Sequence, residues 1–175
     1  MNERPFVALS IGVLTISDTR TDATDKSGQF IVEHLAGAGH RIVEKRIVPD
    51  DVSSIQHAFE AWQQQHVLDV LISTGGTGIT ERDITIEAFK PFVSKEIEGF
   101  GELFRWLSYE DIGAACIQSR AFAALCGKTL LFALPGSTGA VRLALEKIIG
   151  PQLDNRSKPC NFSMLLPRIR GRAPG

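Results

Sequence analysis

Val67-Leu68-Asp69-Val70-Leu71-Ile72-Ser73-Thr74-Gly75-Gly76-Thr77-Gly78-Ile79-Thr80-Glu81-Arg82-Asp83 is the stretch that sets the fold class of this chain. An apolar run from Val67 to Ile72 empties into glycines interleaved with Ser73, Thr74 and Thr77, and ends on a charged trio, Glu81-Arg82-Asp83. The run has the length and composition of a strand, and the glycines allow the positive φ and close backbone approach of a tight turn. Such a turn is open to two readings. It is either an ordinary strand-to-helix connection or a cradle of backbone N–H groups and hydroxyls for a phosphate.

Upstream, Phe6 to Ile16 reads as a first strand covered on both faces, followed by a polar loop from Ser17 to Asp22 and a helical pattern through Phe30, Ile31, His34, Leu35 and Ala38. His40 to Val48 alternates around charged residues, as an edge strand would, and ends at Pro49-Asp50-Asp51. Asp51 or Ser53 is placed to cap a helix carrying Ile55, Ala58, Phe59 and Trp62. Downstream, Ile86, Ala88 and Phe89 predict a short helix broken by Pro91, and Leu103, Phe104 and Leu107 predict a longer one. Gly113 to Leu125 is rich in small residues and predicts a further helix ending at Gly127. Thr129 to Leu134 is a strong strand that also empties into a turn, Pro135-Gly136-Ser137-Thr138-Gly139, before a helix with Val141, Leu143, Ala144, Leu145, Ile148 and Ile149. Beyond Pro151 periodicity is lost, which predicts one domain over residues 1–162 and an irregular basic tail over 163–175.

With 175 residues and 43% hydrophobic content the chain can bury a sizeable core. A net charge of −1 offers no footprint for nucleic acid or for an anionic membrane. Cys116, Cys126 and Cys160 are odd in number and lack CxxC spacing, which fits reduced structural thiols in a cytoplasmic protein, and no apolar segment has the form of a signal peptide or membrane span. Gly78 is followed by Ile79-Thr80 where a P-loop needs lysine, and Glu81 stands where a dinucleotide fingerprint needs its third glycine. HExxH and GxSxG motifs are absent, and His34, His40, His57 and His66 fall away from the strand ends, in surface or packing positions.

Strands alternating with helices imply a three-layer α/β domain with a mostly parallel sheet, and such sheets bind ligands outside the carboxyl ends of their strands. Ser17 and Asp18, Asp50 and Asp51, Gly75 to Gly78 with Asp83, and Gly136 with Ser137 all collect there. Each acid alone reads as a loop carboxylate or a helix cap. Together they suggest a phosphate-binding turn faced by carboxylates able to hold Mg²⁺.

Ser73-Thr74-Gly75-Gly76-Thr77-Gly78 with Asp83, Thr85 and Glu87-Ala88, joined to Glu98-Gly99-Phe100-Gly101-Glu102, Gln118-Ser119-Arg120 and Leu134-Pro135-Gly136-Ser137, resembles the MoaB/MogA family of molybdenum cofactor biosynthesis proteins. Leu103 to Ser108, and Arg156 with Pro159-Cys160-Asn161-Phe162, are similar to the MoaB branch. The resemblance implies a molybdopterin-binding α/β/α domain with a mixed sheet, assembled as trimers or as a hexamer built from trimers. It also implies adenylylation of molybdopterin by Mg-ATP with release of pyrophosphate. Carried over, it makes Asp50 and Asp83 the catalytic and Mg²⁺-holding aspartates. Ser17, Asp18, Thr74, Gly75, Gly76, Thr77, Gly78, Ser108, Ser119, Pro135, Gly136 and Ser137 become substrate-binding residues. Two other classes stand beside this one: a non-catalytic molybdopterin-binding scaffold that engages other enzymes of the pathway, and a pyridine-nucleotide enzyme.

Overall fold

A computed structural model describes residues 4–65 and 68–171. His66, Val67 and the last four residues of the basic tail lie outside the described residues. In chain order the elements are β1 (Ser10–Ile16), α1 (Lys26–Gly37), β2 (Arg41–Val48), α2 (Val52–Gln65), β3 (Val70–Thr74), α3 (Thr85–Phe89), β4 (Lys95–Glu96), α4 (Glu98–Ile112), β5 (Phe122–Cys126), β6 (Thr129–Leu134), α5 (Thr138–Ala144), α6 (Gly150–Leu153) and α7 (Phe162–Ile169). A π-helical turn, Leu145–Ile149, joins α5 to α6.

The six strands form one sheet in the order β2-β1-β3-β6-β5-β4. The first four run parallel, while β5 and β4 are antiparallel to their neighbours, so the sheet is mixed. Residues alternate between its faces. Val13, Val70, Ile72 and Phe132 point into one core with Ile31, Leu35, Phe104, Val141 and Leu145 from α1, α4, α5 and the π turn. Leu14, Leu71, Leu131 and Ala133 point into the other with Ile55, Phe59 and Trp62 of α2 and Phe89 of α3. Three layers result, with β3 buried throughout and β2 half-exposed at the edge, as their sequences predict.

Three expectations are corrected. The first strand starts at Ser10 rather than Phe6, because ahead of it Val7 N–H donates to Asn155 Oδ1 and Leu9 N–H to His40 Nδ1 instead of to a ladder. Gly113 to Leu125 is not a helix: a 3₁₀ segment, Gly113–Gln118, is followed by β5. Ala123 and Ala124 have helix propensity, but Phe122 to Cys126 pairs with β6 across a Gly127-Lys128 hairpin turn in which Gly127 has φ 61°, and pairing plus burial outweighs propensity. The tail is not irregular from residue 163: α7 crosses the 162/163 boundary, capped by Asn161 Oδ1 accepting from Met164 N–H at 3.0 Å. Beyond it Arg170 pairs with Asp69 at 2.7 Å and donates to Leu68 O at 2.7 Å, so this residue of the basic tail is fastened to the start of β3.

Candidate functional site

Because β2, β1, β3 and β6 are parallel, their carboxyl ends open on one rim. The glycine turn after β3 is held there by Gly75 N–H donating to Leu134 O at 2.9 Å, at the end of β6. Gly75 has φ 110° and Gly76 φ 62°. A Cβ on Gly75 would lie 2.2 Å from Ile16 O, and one on Gly76 2.3 Å from Thr85 Oγ1, so space and dihedral both demand glycine. Two buried hydroxyls brace the turn: Thr74 Oγ1 donates to Pro135 O and Thr85 Oγ1 to Gly75 O, each at 2.9 Å.

The turn brings carboxylates onto the rim. Asp83 folds back over Gly78, and its Oδ2 accepts from Thr80 N–H at 2.8 Å and Thr80 Oγ1 at 2.7 Å. Partial burial pushes the Asp83 pKa up, but the Thr80 and Gly78 hydrogen bonds and the Arg120 charge together hold it below the ordinary value. Asp50 has the opposite balance. Its Oδ1 lies 3.4 Å from where a Cβ on Gly76 would stand, and burial, then the Asp18 and Asp83 charges, raise its pKa against the Asp18 backbone and Arg82. Asp50 N–H donates to Asp18 Oδ1 at 3.0 Å, and Arg82 pairs with the other oxygen of Asp18. The two aspartates after Pro49 therefore separate physically. Asp51 is the cap of α2, accepting from Ser54 N–H at 2.8 Å, and Ser54 and Ser53 pull its pKa down to about 2, whereas Asp50 faces the glycine turn.

These oxygens suit a hard cation. Asp50, whose pKa is raised by burial and then by the Asp18 and Asp83 charges, is a group that a divalent ion would relieve. Among the described residues no set of three His, Cys, Asp or Glu side chains converges to hold a metal unaided. An ion on Asp50 and Asp83 would draw its other ligands from phosphate oxygens and water, as Mg²⁺ usually does.

Two clefts flank the second turn, Pro135 to Gly139. The first, about 390 Å³, lies against α4 and is lined by Thr77, Gly78, Ser108, Ser119, Pro135 and Ser137 together with Phe104, Ile112 and Leu143. The second, about 480 Å³, lies against α1 and is lined by Ser17, Thr19, Arg20, Lys26, Ser27, Gly75, Gly136, Ser137 and Thr138. Ser137 caps α5, accepting from Ala140 N–H at 3.3 Å, and borders both clefts. Ser27 Oγ donates to Gly136 O at 2.9 Å and so locks the second turn to the start of α1. The loop before α1 is anchored from below by buried Asp25, which accepts from Thr15 Oγ1 at 2.7 Å and pairs with Lys45 at 2.9 Å. The two serines expected to bind substrate differ: Ser108 Oγ donates to Phe104 O at 2.7 Å within its own helix, whereas Ser119 Oγ accepts from Ala121 N–H at 3.3 Å and donates to no described residue.

The family model described as "Probable molybdopterin binding domain" matches residues 12–155. The chain is 46% identical over 157 residues to "Molybdenum cofactor biosynthesis protein B" of Escherichia coli K12, covering 90% of this chain and 92% of that one. It is 53% identical over 142 residues to the Bacillus cereus protein of the same name, covering 81% and 84%. The chain belongs to the MoaB/MogA family. A solved structure, "Crystal structure of Molybdenum cofactor biosynthesis protein B", superposes with a TM-score of 0.86 at 44% identity, covering 97% of this chain and 100% of that one. For this MoaB/MogA protein the α/β/α architecture with its mixed sheet follows the family, and its role falls within molybdenum cofactor biosynthesis.

Every residue named from the sequence reaches the rim or its clefts, although Thr74 and Ser108 use their hydroxyls internally and Asp18 turns toward a third depression, about 500 Å³, beside Asp22, Lys45 and Pro49. Sequence reasoning missed Arg20 and Lys26 in the second cleft and Phe104 and Leu143 in the first. Arg20 and Lys26 carry no motif beyond following the first strand, while Phe104 and Leu143 have helical spacing that is indistinguishable from ordinary core.

Proposed function

We propose that this rim binds molybdopterin and adenylylates it with Mg-ATP. The observation that carries the proposal is the α4 cleft itself. Its apolar walls, Phe104, Ile112 and Leu143, suit a flat pterin, while Ser119, Thr77 and Gly78 also line it, with the Asp83 carboxylate against Gly78 and that of Asp50 against the neighbouring Gly76. The second cleft supplies Arg20, Lys26 and several hydroxyls, the groups a triphosphate requires.

In the proposed reaction an oxygen of molybdopterin's terminal phosphate attacks the α-phosphorus of ATP in line. A new P–O bond forms as the bond to the β-phosphate bridging oxygen breaks, and pyrophosphate leaves with that electron pair. The nucleophile is an anion at neutral pH, so no strong general base is needed and the protein chiefly positions two mutually repelling anions. Asp50 and Asp83 would hold Mg²⁺, which when bound neutralises charge on the triphosphate and on the departing pyrophosphate. Ser119 hydrogen-bonds the pterin phosphate, and Arg20 and Lys26 receive the nucleotide phosphates.

Incubation of the purified protein with molybdopterin and Mg-ATP is expected to yield adenylyl-molybdopterin and one pyrophosphate per turnover, identified by mass spectrometry. Tight pterin binding with no nucleotide consumed would instead establish the scaffold. The protein is also proposed to assemble as a trimer, or as a hexamer built from two trimers, in the cytoplasm. In support, α4 and the segment after it hold Trp106 67%, Tyr109 61%, Ile112 57% and Ile117 78% exposed, an apolar face that a second copy would cover. Light scattering is expected to give three or six times the chain mass, and Trp106→Asp to reduce it.

A further inference from the structure

Gln118-Ser119-Arg120 contributes Ser119 to the α4 cleft, but Arg120 has no part in the chemistry above. Its contacts are specific. The backbone N–H donates to Thr77 O at 2.9 Å. In the guanidinium, Nε donates to Gly78 O at 2.5 Å, Nη2 to Asp83 O at 2.6 Å, and Nη1 and Nη2 to the Glu87 carboxylate at 2.5 and 3.2 Å. A guanidinium has five N–H donors in a fixed fork, and this one spends four of them on two carbonyls and a carboxylate of the protein itself.

The two carbonyls it grips bracket the loop that carries the charged trio. Gly78 and Asp83 are the ends of that loop; between them Ile79 is 69% exposed, and Thr80 bonds back only to Asp83. Arg120 thus fastens both ends of the loop to the segment bearing Ser119, and Glu87 of α3 holds the fork in plane. The Glu87 pKa is lowered, first by its hydrogen bonds with Arg120, as expected for a paired carboxylate.

We infer that Arg120 is a positioning residue: by clamping Gly78 O and Asp83 O beside Ser119, it fixes the register between the pterin-phosphate ligand and the Asp83 carboxylate. The inference rests on the proposal that the α4 cleft takes molybdopterin. Lysine keeps the charge but has one nitrogen, and it cannot hold two carbonyls and a carboxylate in the same plane.

The test is a double-mutant cycle on molybdopterin binding, with Ser119→Ala made in the parent chain and in Arg120→Lys, and with thermal unfolding recorded for each protein. Loss of one hydrogen bond to a charged phosphate is expected to weaken binding about 10-fold or more in the parent. In the Arg120→Lys background the same change is expected to cost less than about 3-fold, because Ser119 is already out of register. Equal factors in both backgrounds would overturn the inference and leave Arg120 a structural support, as would an unaffected parent. Should Arg120→Lys not fold, Glu87→Gln, which only loosens the fork, replaces it in the cycle with a smaller coupling, and equal factors there overturn the inference too. A parent that binds molybdopterin but releases no pyrophosphate removes the adenylylation reaction and leaves the cycle readable; a parent that binds no molybdopterin removes both proposals.

Discussion

The two turns that follow β3 and β6 look alike in sequence, each a strand emptying into glycine, serine and threonine, yet they are different devices. Gly75 and Gly76 have positive φ and no room for a methyl group, whereas a Cβ on Gly136 would meet only Gly75 Cα, at an ordinary 3.6 Å. The first turn bends the backbone to set Asp50 and Asp83 at its shoulder. The second starts a helix, with Ser137 as cap and hydroxyls from Ser27 and Thr138 beside it. Carboxylates repel phosphate unless a cation intervenes, and capped helix starts attract it. The proposed division of labour follows: metal at the first turn, phosphates between the second turn and its flanking clefts.

The largest effect expected from this contrast is on activity. Asp50→Ala removes a metal-holding carboxylate and is predicted to lower pyrophosphate release about 10²- to 10³-fold, while Ser137→Ala, which leaves the charges intact, lowers it far less; steady-state assays of both variants compare the turns directly. Next comes Gly75→Ala, where backbone strain and overlap with Ile16 O are predicted to destabilise the fold by about 3 kcal/mol or more in denaturant unfolding.

A smaller effect distinguishes the two aspartates. Asp50 has a raised pKa, so the stability it contributes is present below the ordinary aspartate range and lost as pH rises through its folded pKa. Asp83 has a lowered pKa, so its contribution is present above that range and lost as pH falls through its folded pKa. At pH 7 Asp50→Asn is therefore predicted to raise stability and Asp83→Asn to lower it, each by less than about 1 kcal/mol, and both differences shrink near about pH 3. Unfolding curves at the two pH values check the signs. The smallest effect is Gly136→Ala, predicted to change stability by less than about 0.5 kcal/mol; a loss matching that of Gly75→Ala would break the contrast between the turns.

Much of this was legible in the sequence because it depends on local rules. The apolar run from Leu68 to Ile72 could only be a covered strand, and the glycines after it could only be a turn. Asp50 and Asp51 were both visible, but their division into a rim carboxylate and a helix cap was not, since it depends on Ser54 lying one turn along α2 and on Gly76 lying across the rim. Phe122 to Cys126 reads as helix because alanines favour a helix in isolation, and the β6 partner that overrides them appears only in the folded chain. α7 is hidden for a similar reason: it follows a stretch without periodicity, and Asn161 caps a short amphipathic helix whose Leu166 reaches the core only in the folded chain.

The central claim is that the first turn's carboxylates act on the nucleotide and not on the pterin. Its most direct test is a single-turnover experiment with molybdopterin prebound and Mg-ATP added, comparing the parent chain with Asp83→Asn. The prediction is unchanged molybdopterin binding with pyrophosphate release slowed about 100-fold or more in the variant. Full-rate release from Asp83→Asn would contradict it.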